Sequence, residues 1–286
     1  MTSPYTDLDR PPLNARRLAA ALVTDSGPWT RLDLRVETGS TNADAAAAAR
    51  EGEPEGLVVV AEAQTAGRGR RGRTWTSPPR AGLTTSVLLR PGVAVPEREW
   101  PVAPPATYGW LPLLAGVALV ETVNRLAEVP AVLKWPNDLM VGDLKCAGIL
   151  AEGVPDGGGA PAVVVGIGLN VTLRESELPP DRPATSLQLA GAAMTDRDPL
   201  LRALLRGLGG WYARWRLAGG DADASGLAEA YRHHCGTIGR SVRVRLPSGE
   251  DLAGEAATVD ADGQLVVRTT GGRHQSVAAG DVLHVL

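Results

Sequence analysis

The sequence predicts an α+β protein in which helices flank a mixed, largely antiparallel sheet, followed by a small all-β unit at the C-terminal end. Strand-like segments joined by short turns predict the antiparallel pairing, because parallel strands need a long crossover. Helical patterns alternate with these strands up to about residue 235, and only short strands follow. The 286 residues are enough for one large and one small domain. We place an N-terminal extension at 1–30, the large domain at 31–235 and the β domain at 236–286.

Composition excludes several classes of protein. A net charge of −3 argues against a general nucleic-acid binder, which usually carries a strong basic excess. The cysteines Cys146 and Cys235 are far apart, so their spacing forms neither a disulfide framework nor a metal site, and a reducing, cytoplasmic setting fits them. The N-terminus has no signal-peptide pattern. The apolar stretch 111–120 is too short to span a bilayer, so we expect no membrane association.

The first elements follow from local patterns. The polar, proline-rich residues 1–12 predict a loose end. Residues 13–23 fit one short helix, and residues 32–37 alternate as in a strand. Hydroxyl and amide side chains ahead of an alanine run predict a helix over 43–50, and Gly52 marks its end.

The next segments combine buried strands with irregular chain. The apolar stretches 57–63 and 83–89 predict two buried strands. Between them, residues 64–80 are rich in glycine and arginine and predict a loop. Residues 91–105 are proline-rich and predict irregular chain, and residues 108–126 have a helical apolar pattern.

The remaining segments predict a hairpin, a further strand, two helices and the β domain. Residues 131–134 and 145–152 are predicted to be paired strands on either side of a turn near 142–143, and a further strand follows at 162–171. Helical patterns then cover 199–217 and 227–234. Turn residues separate the short strands of the last part, at 241–246, 252–259, 264–269, 273–277 and 282–286.

The first motif with chemical potential is GRGRRGRTW at 67–75, which has four arginines within six residues. Its glycines allow close backbone approach to a ligand, and arginine forks match phosphate and carboxylate oxygens. The motif joins two buried strands, which predicts an active loop on a rigid sheet. A solvated basic loop or an arginine patch for nucleic acid would show the same local pattern.

The second motif is KWPND at 134–138, followed by KCAGIL at 145–150. Lys134 and Lys145 on paired strands across one turn are predicted to point into a common cleft. An ammonium there can bind a carboxylate and then offset charge that grows on a phosphate. Asp138 suits either a Mg²⁺ ion or the orientation of a lysine. A solvated hairpin with one surface ion pair is the simpler explanation for a single lysine.

Two further motifs are weaker when taken alone. GSTN at 39–42 offers hydroxyl and amide groups at a predicted helix start, where helix capping is an equally good explanation. GIGLN at 166–170 places small residues in a strand, which permits close approach of a ligand or of another backbone. Its glycine spacing is not that of a dinucleotide-binding fingerprint.

Together and in this order, the four motifs resemble those of biotin protein ligases, over a stretch from about residue 31 to the C-terminus. The resemblance implies a biotin site formed by Ser40, Thr41, Asn42, Gln64, Arg68, Gly69, Arg70, Lys145 and Gly148. It implies an ATP and adenylate site formed by Arg71, Arg73, Trp75, Lys134, Asn137 and Asn170. Catalytic roles fall to Lys145, Arg70 and Asp138, with Asp138 also the expected ligand of Mg²⁺.

The same resemblance implies the fold and the partners. The large domain is expected to be related to class II aminoacyl-tRNA synthetases, and the C-terminal domain to be an SH3-like β-barrel. The expected reaction consumes ATP and biotin and modifies a biotin carboxyl carrier protein or domain of an acyl-CoA carboxylase. About thirty residues precede the first strand, too few for the helix-turn-helix of repressor-type members, so we expect no DNA-binding role. A homodimer is compatible with the sequence.

Two rival functions stay open at this point. A lipoate or octanoate ligase of related fold would use a similar site, and a nucleic-acid-binding module would use the arginines of the loop. Biotin-dependent exchange of pyrophosphate into ATP separates the first rival, and salt-dependent binding to RNA or DNA separates the second. We also expect residues 66–75 to be disordered without ligand, because glycine and charged residues dominate them.

Overall fold

A seven-stranded mixed sheet forms the centre of the larger part of the chain. The computed structural model describes residues 10–25, 27–180, 182–246, 248–278 and 280–284. Apolar and β-branched residues dominate most of these strands, as expected of strands buried by helices on both faces. The strands are β1 (Arg31–Arg35), β2 (Leu57–Ala61), β3 (Gly82–Leu89), β4 (Ala131–Lys134), β5 (Asp138–Val141), β6 (Leu144–Val154) and β7 (Ala162–Asn170).

The strand order is β1-β2-β3-β7-β6-β5-β4. Only β1 and β2 pair in parallel, and the other neighbours are antiparallel, which confirms the predicted mixed, largely antiparallel sheet. The predicted pairing of the two lysine-bearing strands is wrong. Strand β5 lies between β4 and β6, since residues 138–141 form a strand where the sequence suggested only a bend and a turn.

Helices cover the two faces of this sheet. They are α1 (Ala15–Leu22), α2 (Thr41–Arg50), α3 (Trp110–Thr122), α4 (Arg197–Leu217) and α5 (Leu227–His234). Helix α2 packs on β2, β3 and β7, while α3 packs on β4, β5, β6 and β7 and is covered by α4 and α5. The helical stretch Pro105–Ala127 is long and apolar enough to cross a membrane by length and composition, but most of its apolar window is buried in the core.

Five short strands form a second, antiparallel sheet near the C-terminus. They are β8 (Ser241–Arg245), β9 (Asp251–Val259), β10 (Leu265–Thr269), β11 (His274–Val277) and β12 (Asp281–His284). The order is β11-β10-β9-β8-β12, with a register shift between Val266 and Val267. The predicted all-β unit is therefore present. Among the described strands, β11 and β12 are edges that do not pair with each other, so the hydrogen-bonded sheet is not a closed barrel.

Two tryptophans of the larger part hold the turn between β9 and β10. The indole of Trp110 donates a hydrogen bond to the carbonyl of Ala261 at 2.6 Å, and that of Trp135 donates to the carbonyl of Gly263 at 3.1 Å. The backbone N–H of Trp135 also donates to Thr237 Oγ1 at 3.1 Å. Both indoles are buried, so their hydrogen bonds are shielded from water and fix the second sheet against α3 and the end of β4.

The predicted loose end lies largely outside the described residues, which begin at Arg10. Arg10, by contrast, is packed: it is only 5% exposed and donates to the carbonyl of Thr172 at 2.7 Å. The predicted boundaries at 30/31 and 235/236 stay a prediction.

Candidate active site

A cavity of about 640 Å³ lies where the predicted motifs meet. It opens beside the ends of β4 and β5, over the middle of β6 and β7, and the loop between β2 and β3 borders it. The sequence-predicted residues on its wall are Ser40, Thr41, Asn42, Gln64, Arg68, Gly69, Arg70, Arg73, Trp75, Lys134, Asn137, Asp138, Lys145, Gly148 and Asn170. Arg71 is the exception, because its side chain turns toward the second sheet.

The hydroxyl and amide groups at the start of α2 form one end of the cavity. Ser40 occupies the N-cap position but makes no side-chain capping hydrogen bond, so simple capping does not explain this motif. The Thr41 backbone N–H donates to Gln64 Oε1 at 2.8 Å. Ser86 Oγ lies 2.7 Å from both Thr41 Oγ1 and Asn42 Oδ1. These contacts fix buried polar groups in position to face a polar ligand.

The arginine- and glycine-rich segment folds as a compact hairpin over residues 67–75. Its backbone closes through Gly69 N–H to Arg73 O at 2.7 Å and Trp75 N–H to Gly67 O at 2.9 Å. Arg71 at its tip has φ 55°, in the left-handed region. This geometry is one conformation of the segment, and its predicted disorder without ligand stays a prediction.

The arginines of this hairpin point in different directions. Arg70 Nη1 donates to Asn137 Oδ1 at 2.8 Å, which joins the hairpin to the turn after β4. Burial lowers the pKa of the Arg70 guanidinium. Arg71 and Arg73 both pair with Asp281 at the start of β12, at 2.9 and 2.7 Å. The hairpin is therefore held between the large sheet and the small one.

Both lysines reach the cavity although a strand separates them. Lys145 Nζ lies 2.6 Å from Asp138 Oδ1, and each side chain is about a quarter exposed. Burial lowers the pKa of Lys134, and the positive charge of Lys145 acts in the same direction, against the carboxylate of Asp138. The site thus concentrates positive charge that an anionic ligand would offset.

The floor of the cavity is made of glycines. Gly148 on β6 and Gly168 on β7 are direct register partners, and the Trp75 indole lies across them. A Cβ atom at Gly168 would lie 2.7 Å from Trp75 Nε1. No side chain other than hydrogen therefore fits beneath the indole in this position. Trp75 Nε1 is buried and has no hydrogen-bond acceptor among the described residues, which makes it a donor available to a ligand.

Asn170 supports the cavity wall from the end of β7. Its side-chain amide donates to the carbonyl of Thr185 at 2.9 Å and is buried. Residues 183–185 in turn run beside the start of β6, where Lys145 pairs with Ala184 as an isolated parallel bridge.

Sequence patterns missed several residues of this site. Ser86 is fully buried in β3, and its signal was a run of three hydroxyl residues inside an apolar strand. Glu152 accepts from Asn42 Nδ2 at 2.7 Å and lies 3.8 Å from Arg68. Asp281 and the proline-rich segment before Thr185 also contribute, and neither had a local signal that linked it to the other motifs.

A metal ion at this site would need coordination by a bound nucleotide as well as by the protein. No group of three or more potential metal-binding side chains of His, Cys, Asp or Glu occurs in the described ranges. Mg²⁺ in nucleotide sites is commonly held by one or two carboxylates, several waters and phosphate oxygens. Asp138 supplies such a carboxylate, already paired with Lys145, so the residues fit a metal that arrives with a polyphosphate.

Comparisons with known proteins point to one family. Residues 39–170 match the model of the Biotin/lipoate A/B protein ligase family, and residues 237–285 match the Biotin protein ligase C terminal domain. A biotin–[acetyl-CoA-carboxylase] ligase of Mycobacterium tuberculosis is 44% identical, over 98% of this chain and 99% of that protein. One of Paracoccus denitrificans is 32% identical, over 87% of this chain and 98% of its own length.

Solved structures agree with this assignment. A biotin protein ligase from Aquifex aeolicus, solved in complex with biotin and ATP, is similar with a TM-score of 0.72 and 25% identity. The similarity covers 90% of this chain and 100% of that one. The extent of the match to full-length relatives, together with both family models, shows that the chain belongs to the biotin protein ligase family.

Proposed function

We propose that this protein activates biotin with ATP to biotinyl-5′-AMP and transfers the biotinyl group to a lysine of a biotin carboxyl carrier protein or domain of an acyl-CoA carboxylase. The observation that supports it most directly is the meeting of the hairpin arginines, Lys145 and the hydroxyl groups of α2 in one cavity. The relatives named above are ligases of this kind.

The first half-reaction is attack by a carboxylate oxygen of biotin on the α-phosphorus of ATP. A new oxygen–phosphorus bond forms, the bond to the β-phosphate oxygen breaks, and pyrophosphate leaves. Negative charge grows on the phosphate oxygens in the transition state. Cationic side chains already fixed beside these oxygens therefore lower the activation barrier. Lys145, which is oriented by its ion pair with Asp138, is the proposed cation between the biotin carboxylate and the α-phosphate. Mg²⁺ bound with ATP would supply further charge neutralisation.

The second half-reaction is attack by the neutral amine of the acceptor lysine on the acyl carbon. The carbon–oxygen bond to the phosphate breaks, AMP leaves with the electron pair, and the amine loses a proton as the amide forms. Until the acceptor arrives, the mixed anhydride must be kept from water. The hairpin 67–75 lines one side of the cavity and is the proposed cover.

We assign the remaining substrate-binding roles by the position of each residue in the cavity. We assign the biotin head group to Ser40, Thr41, Asn42 and Gln64, which form the hydroxyl and amide end. The residues proposed to close over biotin and its carboxylate are Arg68, Gly69, Arg70, Lys145 and Gly148. Those proposed for ATP and the adenylate are Arg73, Trp75, Lys134, Asn137 and Asn170 on the wall, and Arg71, which in this conformation of the hairpin lies off the wall.

The wider organisation is also a proposal. We divide the chain into a catalytic domain at 31–235 and a C-terminal domain at 236–286, after an extension at 1–30. We propose a cytoplasmic location, because the substrate is ATP and because Cys146 and Cys235 are free thiols, both buried. We expect neither DNA nor a membrane to be a partner, and we leave a homodimer open.

Mass spectrometry of a carrier domain incubated with the protein, ATP and biotin tests the function. One acceptor molecule should gain the mass of a single biotinyl group, and the gain should vanish when its target lysine is replaced by arginine. Parallel reactions with lipoate and octanoate test the rival ligase. Modification by either of these acids in place of biotin would overturn the assignment of biotin.

A further inference from the structure

Part of the cavity wall is a proline-rich segment that the assigned motifs do not include. We call residues 178–180 and 182–184 the proline wall, of which Pro179, Pro180, Arg182, Pro183 and Ala184 line the cavity. Proline fixes the backbone φ angle, so such a segment keeps its shape with little loss of entropy. Its position then depends on how its two ends are held.

The C-terminal end of the proline wall is held by Lys145. The Lys145 backbone N–H donates to the carbonyl of Pro183 at 3.2 Å, and the Thr185 N–H donates to the carbonyl of Lys145 at 2.9 Å. The wall therefore meets the cavity beside the lysine that we place at the α-phosphate. The head-group residues Thr41 and Gln64, by contrast, bond to each other and to β3, not to the wall.

The N-terminal end is held by Arg10. Its guanidinium donates to both carboxylate oxygens of Glu177, at 3.1 and 2.6 Å, and also to the carbonyl of Thr172 at 2.7 Å. Glu177 accepts the backbone N–H of Arg174 at 2.8 Å as well, which fixes the turn immediately before the wall. Fork-shaped arginine–carboxylate contacts are directional and resist displacement. The hydrogen bond from Arg10 is the main cause that lowers the pKa of Glu177.

The backbone that follows Arg10 is held in place by contacts with Glu62 and Arg197. The Leu13 N–H donates to Glu62 Oε1 at 2.6 Å, and Arg197 donates to the carbonyl of Pro11 at 2.6 Å while it pairs with Glu62. Glu62 and Arg197 are both almost fully buried. Arg10 thus links the start of α4 and the end of β2 to the turn that leads into the proline wall.

From this chain of contacts we propose that Arg10 is a positioning residue for the nucleotide: through Glu177 it sets the distance of the proline wall from Lys145, and with it the affinity for ATP. The inference rests on the proposed function. Arg10 does not line the cavity, so its effect is indirect. It should change the KM for ATP far more than the KM for biotin, because the wall leads directly into Thr185, whose carbonyl holds the side chain of the ATP-assigned Asn170, and does not contact the head-group end.

Biotin-dependent exchange of labelled pyrophosphate into ATP tests this with the full-length protein. Arg10→Ala and Glu177→Gln should each raise the KM for ATP about ten-fold, which corresponds to ~1.4 kcal/mol. The KM for biotin should change less than about two-fold. The double variant should raise the KM for ATP by less than the product of the two single effects, because both single variants remove the contact between Arg10 and Glu177. Arg17→Ala, an exposed arginine on α1, is the matched control and should behave as the unaltered protein.

Equal increases in both KM values, or an unchanged KM for ATP in either single variant, would overturn the inference. If Arg10→Ala does not fold, Glu177→Gln and hydrogen exchange of residues 172–178 in the presence and absence of ATP still decide it. Absence of exchange activity in the unaltered protein would instead contradict the proposed function.

Discussion

Lys145 is the side chain on which the proposed activation step depends most directly. Its ammonium lies 2.6 Å from Asp138, which holds it over the glycine floor. Replacement by alanine removes the cation and leaves Asp138 without its partner. Loss of one preorganised donor at a developing charge commonly costs two to three orders of magnitude in rate. We expect Lys145→Ala to lower kcat/KM for pyrophosphate exchange by roughly 100-fold or more.

Lys145→Arg is the companion variant, because it keeps the charge and changes only its shape and reach. It should retain more exchange activity than the alanine variant. Exchange at the unaltered rate in Lys145→Ala would remove this residue from the proposed role.

The glycine floor allows a second residue-scale prediction. A methyl group at Gly168 would lie 2.7 Å from Trp75 Nε1 and 2.8 Å from Trp75 Cζ2, so the indole must move away. Overpacking of this kind typically costs 1–3 kcal/mol. We expect Gly168→Ala to raise the KM for biotin or ATP about ten-fold or more, measured in the exchange assay.

Gly153→Ala is the matched control for the glycine floor. Gly153 lies on the neighbouring strand β6, and nothing lies within 4 Å of a Cβ atom placed there. The control should leave both KM values unchanged. If Gly168→Ala also leaves them unchanged, the indole does not form part of the binding surface.

Most residues of the cavity wall could be predicted from sequence motifs, but some could not. The motifs at 39–42, 67–75 and 134–150 identified most of the side chains on the cavity wall, because each is locally unusual. Ser86 had only the weak signal of three hydroxyl residues in an apolar strand, and Glu152 had none, because the role of each comes from a contact with the distant Asn42. Contacts between residues far apart in sequence leave no local pattern.

At the scale of elements, the hairpin 67–75 depends on the hydrogen bond between Arg70 and Asn137. Glycine at position 70 removes this bond and adds backbone freedom. We expect Arg70→Gly to release biotinyl-5′-AMP into solution, so that lysines on unrelated proteins become biotinylated. Streptavidin blotting of a protein mixture incubated with the variant measures this biotinylation. The double variant Arg70→Gly/Lys145→Ala should label unrelated proteins far less, because much less adenylate forms. Unchanged selectivity of Arg70→Gly would contradict the proposed cover.

The hairpin has a second anchor in the ion pairs of Arg71 and Arg73 with Asp281. These groups are about a third to a half exposed, and such pairs contribute ~0.2–1 kcal/mol each. We therefore expect Asp281→Asn to speed adenylate release only about two- to five-fold, as followed by rapid filtration. Added salt should have the same effect on the unaltered protein.

Glu255→Gln is the control for this anchor. Glu255 lies on β9 of the same small sheet and pairs with Arg268 of β10. Its replacement should not change release. Equal rates for Asp281→Asn and the unaltered protein, at low and high salt, would show that these pairs do not hold the hairpin.

Strand β5 shows where element prediction fails. Residues 138–141 form a strand of only four residues that begins two residues after Pro136. Such a short stretch has too few positions for a clear alternation, and the polar Asp138 at its start suggested a bend. Its existence depends on pairing with β4 and β6 on both sides, which only the folded sheet supplies.

At the scale of the whole molecule, the two sheets act as one support for the cavity. Trp110 and Trp135 fix the small sheet to the large one, and Asp281 reaches back to the hairpin. The class of each sheet was predictable from strand spacing and turn residues. Their mutual position was not, because it depends on hydrogen bonds from the two indoles to backbone carbonyls, which every residue has.

His284 lies at this junction and makes it sensitive to acid. Its Nε2 is 3.2 Å from Thr237 Oγ1, and its Nδ1 is 3.4 Å from Arg240 Nη1. Because arginine can only donate, Nδ1 must accept, and the proton of the neutral ring sits on Nε2. Burial, reinforced by the charges of Lys134 and Arg240 and opposed by Asp143, lowers the pKa of His284 to about 4.

This pKa predicts the direction of a stability change with pH. In the unfolded chain the imidazole has its ordinary pKa near ~6.5. Between about pH 6.5 and pH 4 the unfolded state therefore binds a proton that the folded state refuses, so the free energy of unfolding decreases as the pH falls. Above about pH 6.5 this contribution is constant. Because the ring is partly exposed, we expect the loss to be on the order of 1 kcal/mol.

Urea unfolding of the unaltered protein and of His284→Gln at several pH values measures this effect. Glutamine keeps a hydrogen-bonding side chain but cannot titrate, so the variant should lose less stability between pH 6.5 and pH 4. Carboxylates titrate in both proteins and cancel in the difference. Parallel stability curves for the two proteins across this range would mean that His284 titrates alike in the folded and unfolded chains. The junction between the sheets would then not exclude the charged imidazole.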